Sequence, residues 1–134
     1  MKQEVRAESA PAPIGPYSHG IVTSGGLLFV SGQTPKDPAT GAMPKDFPAQ
    51  VELCLRNVKA IVEKAGGSMA DVVKVNAYLA DLANFPVFNE IYSRYFAKPY
   101  PARTTVGAVL PGGAVQVEID VVFSLPSGAS PEGR

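Results

Sequence analysis

The segment Val115-Gln116-Val117-Glu118-Ile119-Asp120-Val121-Val122-Phe123 carries an apolar residue at every odd position. A helix would scatter those side chains around its circumference, whereas a strand sets them all on one face. The segment is therefore read as a strand with one continuous apolar face, which demands a sheet packed against something. Its other face carries Gln116, Glu118 and Asp120. A carboxylate there is either solvated strand surface, the reading that alternation alone favours, or, where another surface covers that face, a desolvated group whose pKa rises toward use as a base.

The remaining chain is punctuated by 13 glycines and 13 prolines, which keep the elements short. Residues 10–16 hold Pro11, Pro13 and Pro16 and predict an extended arm. Gly20–Thr23 and Leu27–Gln33 read as a hairpin across Ser24-Gly25-Gly26, and residues 37–41 as a turn-rich loop. From 46 to about 65 the apolar positions Val51, Cys54, Leu55, Val58, Ile61, Val62 and Ala65 recur at helical steps, with Asp46 as N-cap and Gly66-Gly67 as the stop; Cys54 falls on that stripe and is read as core. Val72–Leu79 is a β-branched strand. A second helix, capped by Asp81 or Asn84, is predicted to run through Phe96, with Pro99 and Pro101 ending it. Residues 104–110 and 115–123 are the last strands, and the tail after Ser124 is predicted to be disordered.

With a first strand at about residues 3–7 the order is β-β-β-α-β-α-β-β, an α+β fold in one domain with its core at about 4–123. Two helices cover only one face of such a sheet. Yet Leu27-Leu28-Phe29-Val30 is apolar on both sides, and Val72 and Tyr78 are expected to share a face with Lys74 and Asn76. That second face is expected to be buried against another copy of the chain, making a homo-oligomer.

Composition excludes several classes of function. Twelve basic residues balance 12 acidic ones, so the electrostatic footprint of nucleic-acid or anionic-membrane binding is missing. The N-terminus has no apolar signal-peptide core and no stretch reaches the roughly 18 apolar residues of a span, so a cytoplasmic location is expected. One cysteine and one histidine supply neither a disulfide framework nor a Cys/His metal cluster, and no Gly-x-Gly-x-x-Gly or phosphate loop occurs. No metal and no cofactor is expected.

Among the remaining candidates, Arg103 opens a strand behind the stiff Pro99-Tyr100-Pro101-Ala102, where its planar fork suits a carboxylate, unless it serves an ordinary surface ion pair. Tyr17, in the proline-rich arm, closes over a pocket or simply packs. Ser31-Gly32-Gln33 at a strand end offers a hydroxyl and backbone groups, but no base is evident to make Ser31 a nucleophile. Asn89 sits mid-helix, retained for a hydrogen bond or merely exposed. His19 has no evident nucleophile partner and is read as structural.

Ile14-Gly15-Pro16-Tyr17-Ser18-His19-Gly20, Leu28-Phe29-Val30-Ser31-Gly32-Gln33, Thr40-Gly41, Asn57-Val58-Lys59-Ala60-Ile61-Val62, Phe88-Asn89-Glu90-Ile91-Tyr92, Pro101-Ala102-Arg103-Thr104 and Val117-Glu118-Ile119-Asp120 occur in an order that resembles the RidA (YjgF) family of reactive intermediate imine deaminases. The resemblance covers about residues 4–123. It implies a chorismate-mutase-like fold, a mixed sheet with two helices on one face, assembled as a homotrimer with clefts between subunits. By position it implies that Arg103 binds the substrate carboxylate and Glu118 holds or activates water, while Tyr17, Ser31, Gly32 and Asn89 line the cleft. Where many relatives carry a cysteine two residues past the arginine, this chain has Thr105, which bears on a pocket contact and on substrate preference. The implied substrates are 2-imino acids and their enamines, such as 2-aminoacrylate, and the products are 2-keto acids and ammonia. Two other readings stand beside it: a non-catalytic module binding small carboxylates, and an RNA-cleaving or translation-inhibiting protein, against which the neutral charge counts.

Overall fold

In the computed structural model, which describes residues 2–126, the strands are β1 (Lys2–Val5), β2 (Gly20–Thr23), β3 (Leu27–Gln33), β4 (Val72–Leu79), β5 (Ala102–Gly107) and β6 (Val117–Ser124). Two α-helices, α1 (Phe47–Lys64) and α2 (Phe85–Tyr92), are inserted before β4 and before β5. The strands form one mixed sheet in the order β1-β2-β3-β6-β4-β5. All neighbours are antiparallel except β4 and β5, which are parallel and need the α2 crossover between them. This is the β-β-β-α-β-α-β-β order, with both helices on one side.

The alternation of the last strand sets the layers. Val117, Ile119, Val121 and Phe123 are buried against α1, whose Val51, Cys54, Leu55, Val58, Ile61 and Val62 are fully buried. Each such aliphatic side chain contributes about 2 kcal/mol of transfer free energy. Asp46 caps α1 by accepting from Ala49 N at 3.1 Å, and Gly66 follows it with φ at 94°, a backbone that favours glycine. Gly67 leaves room for the Phe123 ring, which a Cβ would strike. Cys54 lies in the core, its Sγ donating to Gln33 O at 3.0 Å.

Several expectations need correction. The second helix ends at Tyr92 instead of Phe96, because Ser93–Tyr95 tighten into turns whose N–H groups reach back to Asn89 O, Ile91 O and Tyr92 O; Phe96 is nevertheless buried. The following strand begins two residues earlier than expected, at Ala102, and stops at Gly107, and the first strand is Lys2–Val5. Val72 does not share the face of Tyr78. A register shift between Val72 and Lys74 inserts an extra residue, so Val72 turns into the core while Val73 is exposed. The tail beyond residue 126 lies outside the described residues; just before it, Leu125 N donates to Gly26 O.

The uncovered face holds Leu27 and Phe29 of β3, Val106 of β5, and Tyr78 with Asp120. Leu27, Phe29 and Val106 are each at least 40% exposed, leaving an apolar surface on a sheet already covered on its other side. No helix among the described residues is long and apolar enough to cross a membrane.

Gln50 joins the loops at the end of the sheet: fully buried, it donates to Pro44 O at 2.7 Å and Ala114 O at 2.8 Å, and accepts from Gln116 N at 2.9 Å. Replacing it by leucine fills similar space but strands two carbonyls and an N–H. We expect Gln50→Leu to lower the unfolding free energy by about 3 kcal/mol, read as a shift of the urea midpoint at unchanged slope.

Candidate functional site

Between β3 and β6 the pairing passes from Val30↔Val121 to Gln33↔Ile119, so Ser31 and Gly32 together oppose Asp120. This bulge breaks the ladder where the two strands would otherwise seal against each other. Ser31 is held there by two bonds, its N donating to His19 O at 2.9 Å and its Oγ to Ser18 O at 2.6 Å. The Glu118 side chain lies over Gly32: a Cβ at position 32 would collide with Glu118 Oε2 and sit 3.1 Å from its Cδ. That approach, and not the backbone angle, is what favours glycine at position 32, since its φ is not among the positive ones.

A cleft of about 460 Å³ opens at this point, walled by Ser31, Gly32 and Glu118 on the sheet and by Pro11, Ala12, Ile14 and Tyr17 of the arm. The arm is tied down by His19, which is buried: Nδ1 accepts from Ala7 N at 2.9 Å and Nε2 donates to Pro11 O at 2.7 Å. Both ring nitrogens are engaged in holding the chain path, so His19 has the structural role expected of it. Tyr17 is half exposed, with its hydroxyl accepting from Ile14 N at 3.2 Å.

Glu118 shares its face with a second carboxylate. Asp120 accepts from Asn76 Nδ2 at 2.9 Å and from Tyr78 Oη at 3.0 Å, whereas among the described residues nothing donates to Glu118. Burial pushes the Glu118 carboxyl above the usual range, and the neighbouring Asp120 charge pushes it further. Tyr78 is raised by its own burial, by its bond to Asp120 and by the two carboxylates.

Arg103, Asn89 and Thr105 are elsewhere. Arg103 pairs with Val75 and Thr105 with Ala77, both core-facing, whereas Glu118 pairs with Tyr78 on the opposite side. Within one chain Arg103 and Glu118 therefore point away from opposite faces of the sheet, and the structure does not bring them together. The guanidinium lies over the rings of Phe85, Phe88 and Tyr92 of α2, at 5.5, 5.7 and 4.7 Å from their centroids. It makes no ion pair with the described carboxylates, so the surface-pair reading does not hold. On the same helix and strand, Asn89 Oδ1, Tyr92 Oη and Thr105 Oγ1 are buried without hydrogen-bond partners among the described residues. The Tyr92 hydroxyl is pushed up to about 12 by burial, which outweighs the lowering effect of Arg103. Orphaned polar atoms are rare in native interiors, and these three lie on α2 and β5, the elements that carry Arg103 and the rings beneath it.

Sequence reasoning missed Tyr92, which it counted only as apolar stripe, and the far wall of the cleft, where Thr34, Lys36, Met43 and Val115 join the lining. A lysine three residues past a bulged strand end was the available signal for Lys36. Among the described residues no group of three or more His, Cys, Asp or Glu comes together as a metal site.

A family model described as Endoribonuclease L-PSP matches residues 7–124. A RutC family protein of Pyrococcus horikoshii is 44% identical over 123 residues, spanning 91% of this chain and 97% of the relative. TdcF of Escherichia coli, named provisionally as a reactive intermediate deaminase, is 39% identical over 91% of this chain and 96% of its own; its structure with bound serine superposes with a TM-score of 0.86 at 36% identity, covering 92% of this chain and 99% of that one. RidA from the Antarctic bacterium Psychrobacter sp. PAMC 21119 superposes with a TM-score of 0.87 at 42% identity, covering 92% and 99% of the two chains.

Two outcomes follow from the crowding at Glu118. Because folding raises its pKa, the native chain holds that proton more tightly than the unfolded one; the resulting stabilisation is present below the ordinary glutamate pKa and lost as pH rises through the raised value. Glu118→Gln should therefore gain stability over the parent at pH 8 and not at pH 4, measured by denaturant titration at both pH values. In Gly32→Ala the methyl must push the carboxylate outward, so the Glu118 titration followed by carbon NMR should move back down toward the ordinary glutamate range.

Proposed function

The chain belongs to the Endoribonuclease L-PSP family, whose matched relatives carry the names RutC, TdcF and RidA, and from that premise we propose that it hydrolyses reactive 2-imino acids and their enamines to 2-keto acids and ammonia. The observation that carries this reading is the raised carboxyl of Glu118 over Gly32, in a cleft large enough for a small acid. The second half of the machinery is Arg103, and it completes the cleft from a neighbouring copy. A homotrimer with inter-subunit clefts accounts for the opposed faces and the uncovered apolar surface together. The serine bound to TdcF supports the substrate class, since serine is a small acid with nitrogen at C2.

In this reading an enamine such as 2-aminoacrylate first tautomerises to the imine, whose C2 is already electrophilic. Arg103 grips the carboxylate through two parallel N–H donors and fixes C2 against the cleft floor. Glu118 takes a proton from water as the water oxygen bonds to C2 and the C=N π pair moves to nitrogen, which becomes an amine on protonation. Collapse of this carbinolamine breaks the C–N bond, with the hydroxyl proton leaving and ammonia departing, and Glu118 is poised to relay those protons because its pKa stands above that of an ordinary carboxylate. Tyr17 and Ser31 line the approach. The residues named require a grip, a proton relay and water, and the location that suits such intermediates is the cytoplasm.

The family's printed name also points to RNA cleavage. The balanced charge of 12 basic and 12 acidic residues supports the small-molecule reading instead.

The test is to generate 2-aminoacrylate with a pyridoxal-phosphate dehydratase and follow its decay. Added protein should accelerate it, with the rate falling at low pH as the raised Glu118 carboxyl protonates; an unchanged decay at pH 8 would sink the proposal. Arg103→Ala and Glu118→Gln should each lose about 10²-fold or more. If sites are shared, co-assembling these two inactive variants should recover part of the activity, because some clefts then draw Arg103 and Glu118 from intact partners. Light scattering should give three times the 14.0 kDa chain mass.

A further inference from the structure

Past Gly32 in the chain, the cleft lining bears one cationic residue among the described residues, Lys36, together with Thr34 and Met43. Its backbone is locked. Lys36 N donates to Thr34 O at 2.9 Å, and the buried Asn57 donates from Nδ2 to both Thr34 O at 3.0 Å and Lys36 O at 2.9 Å. The next residue, Asp37, closes its own turn by accepting from Ala39 N and Thr40 N. The half-buried lysine thus stands on a rigid base, and no described carboxylate pairs with it. Glu118 and Lys36 are the two charged residues of the lining.

A three-carbon imino acid, held through its only carboxylate by Arg103, gives Lys36 nothing to bind. With Arg103 on the C1 carboxylate and Glu118 at C2, the unclaimed part of the substrate is the end of its side chain. We propose that Lys36 reads a second carboxylate there, making 2-imino dicarboxylates the preferred substrates. This rests on the deaminase reading and adds the substrate class to it. The reaction is unchanged: water adds across C2=N, and the products are a 2-keto dicarboxylate and ammonia.

A contact to a group far from the reacting carbon is equally strong in the ground and transition states, so it acts on KM and leaves kcat alone. The experiment uses the assembled protein and two imines made in place by flavin amino-acid oxidases, 2-iminosuccinate from aspartate and 2-iminopropanoate from alanine. The parent protein should give the higher kcat/KM with the dicarboxylate. In Lys36→Met, which keeps the aliphatic stem, the ratio of the two kcat/KM values should fall about tenfold through the dicarboxylate KM; Lys36→Arg should restore most of it. A ratio unmoved in Lys36→Met, or a parent protein that prefers the monocarboxylate, overturns the role of Lys36 while leaving the deaminase reading intact. Acceleration of neither imine overturns both.

Discussion

Strand β6 is bonded on both sides, to β3 and to β4, and everything else in the molecule is arranged around that position. Its buried side chains, from Val117 to Phe123, supply the surface on which α1 packs, and its other side chains are thereby committed to the face that the helices leave open. One strand thus decides both where the core lies and where a carboxylate must stand in a half-dry place. The bulge at Ser31 and Gly32 then turns that place from a flat sheet into a recess.

Much of this is legible in the residue order because it is set by local periodicity. The alternation of 115–123, the helical stripe through Cys54 and the Asp46 cap depend on neighbours a few residues apart, and they survive into the structure with only their ends adjusted. What is not legible depends on registers between strands. Val72 lies on the inner face only because an extra residue is accommodated against β6, and nothing in Val72-Val73-Lys74 announces which residue bulges. The opposition of Arg103 and Glu118 is of the same kind: each strand reveals its own two faces, but the pairing through β4 decides which of them coincide. Tyr92 shows a third limit, since an aromatic on an apolar stripe and an aromatic under a guanidinium look alike in one dimension.

The division of the candidate site between two faces gives physical meaning to features that would otherwise be defects. An exposed Phe29 is unfavourable in a lone chain and lies where a neighbouring surface would change its surroundings, whereas the Thr105 hydroxyl and the Asn89 amide oxygen are already buried within the chain. The proline-rich arm belongs to the same logic. Pinned through His19 to Ala7 and Pro11, it is a fixed wall of the recess instead of a loose connection, so the excess of glycine and proline in this chain builds shape where it would elsewhere mark disorder.

Gly32 and Glu118, distant in the chain, occupy what amounts to a single volume. Enlarging Gly32 displaces the end of the Glu118 side chain, so a change at one position of the recess floor is felt at the other. The side chains of Thr34, Lys36 and Met43 line the same cleft at positions separate from that pair. A lineage or a protein engineer altering what this pocket accepts could vary those side chains without displacing the carboxylate, whereas a change at Gly32 shifts the carboxylate as well.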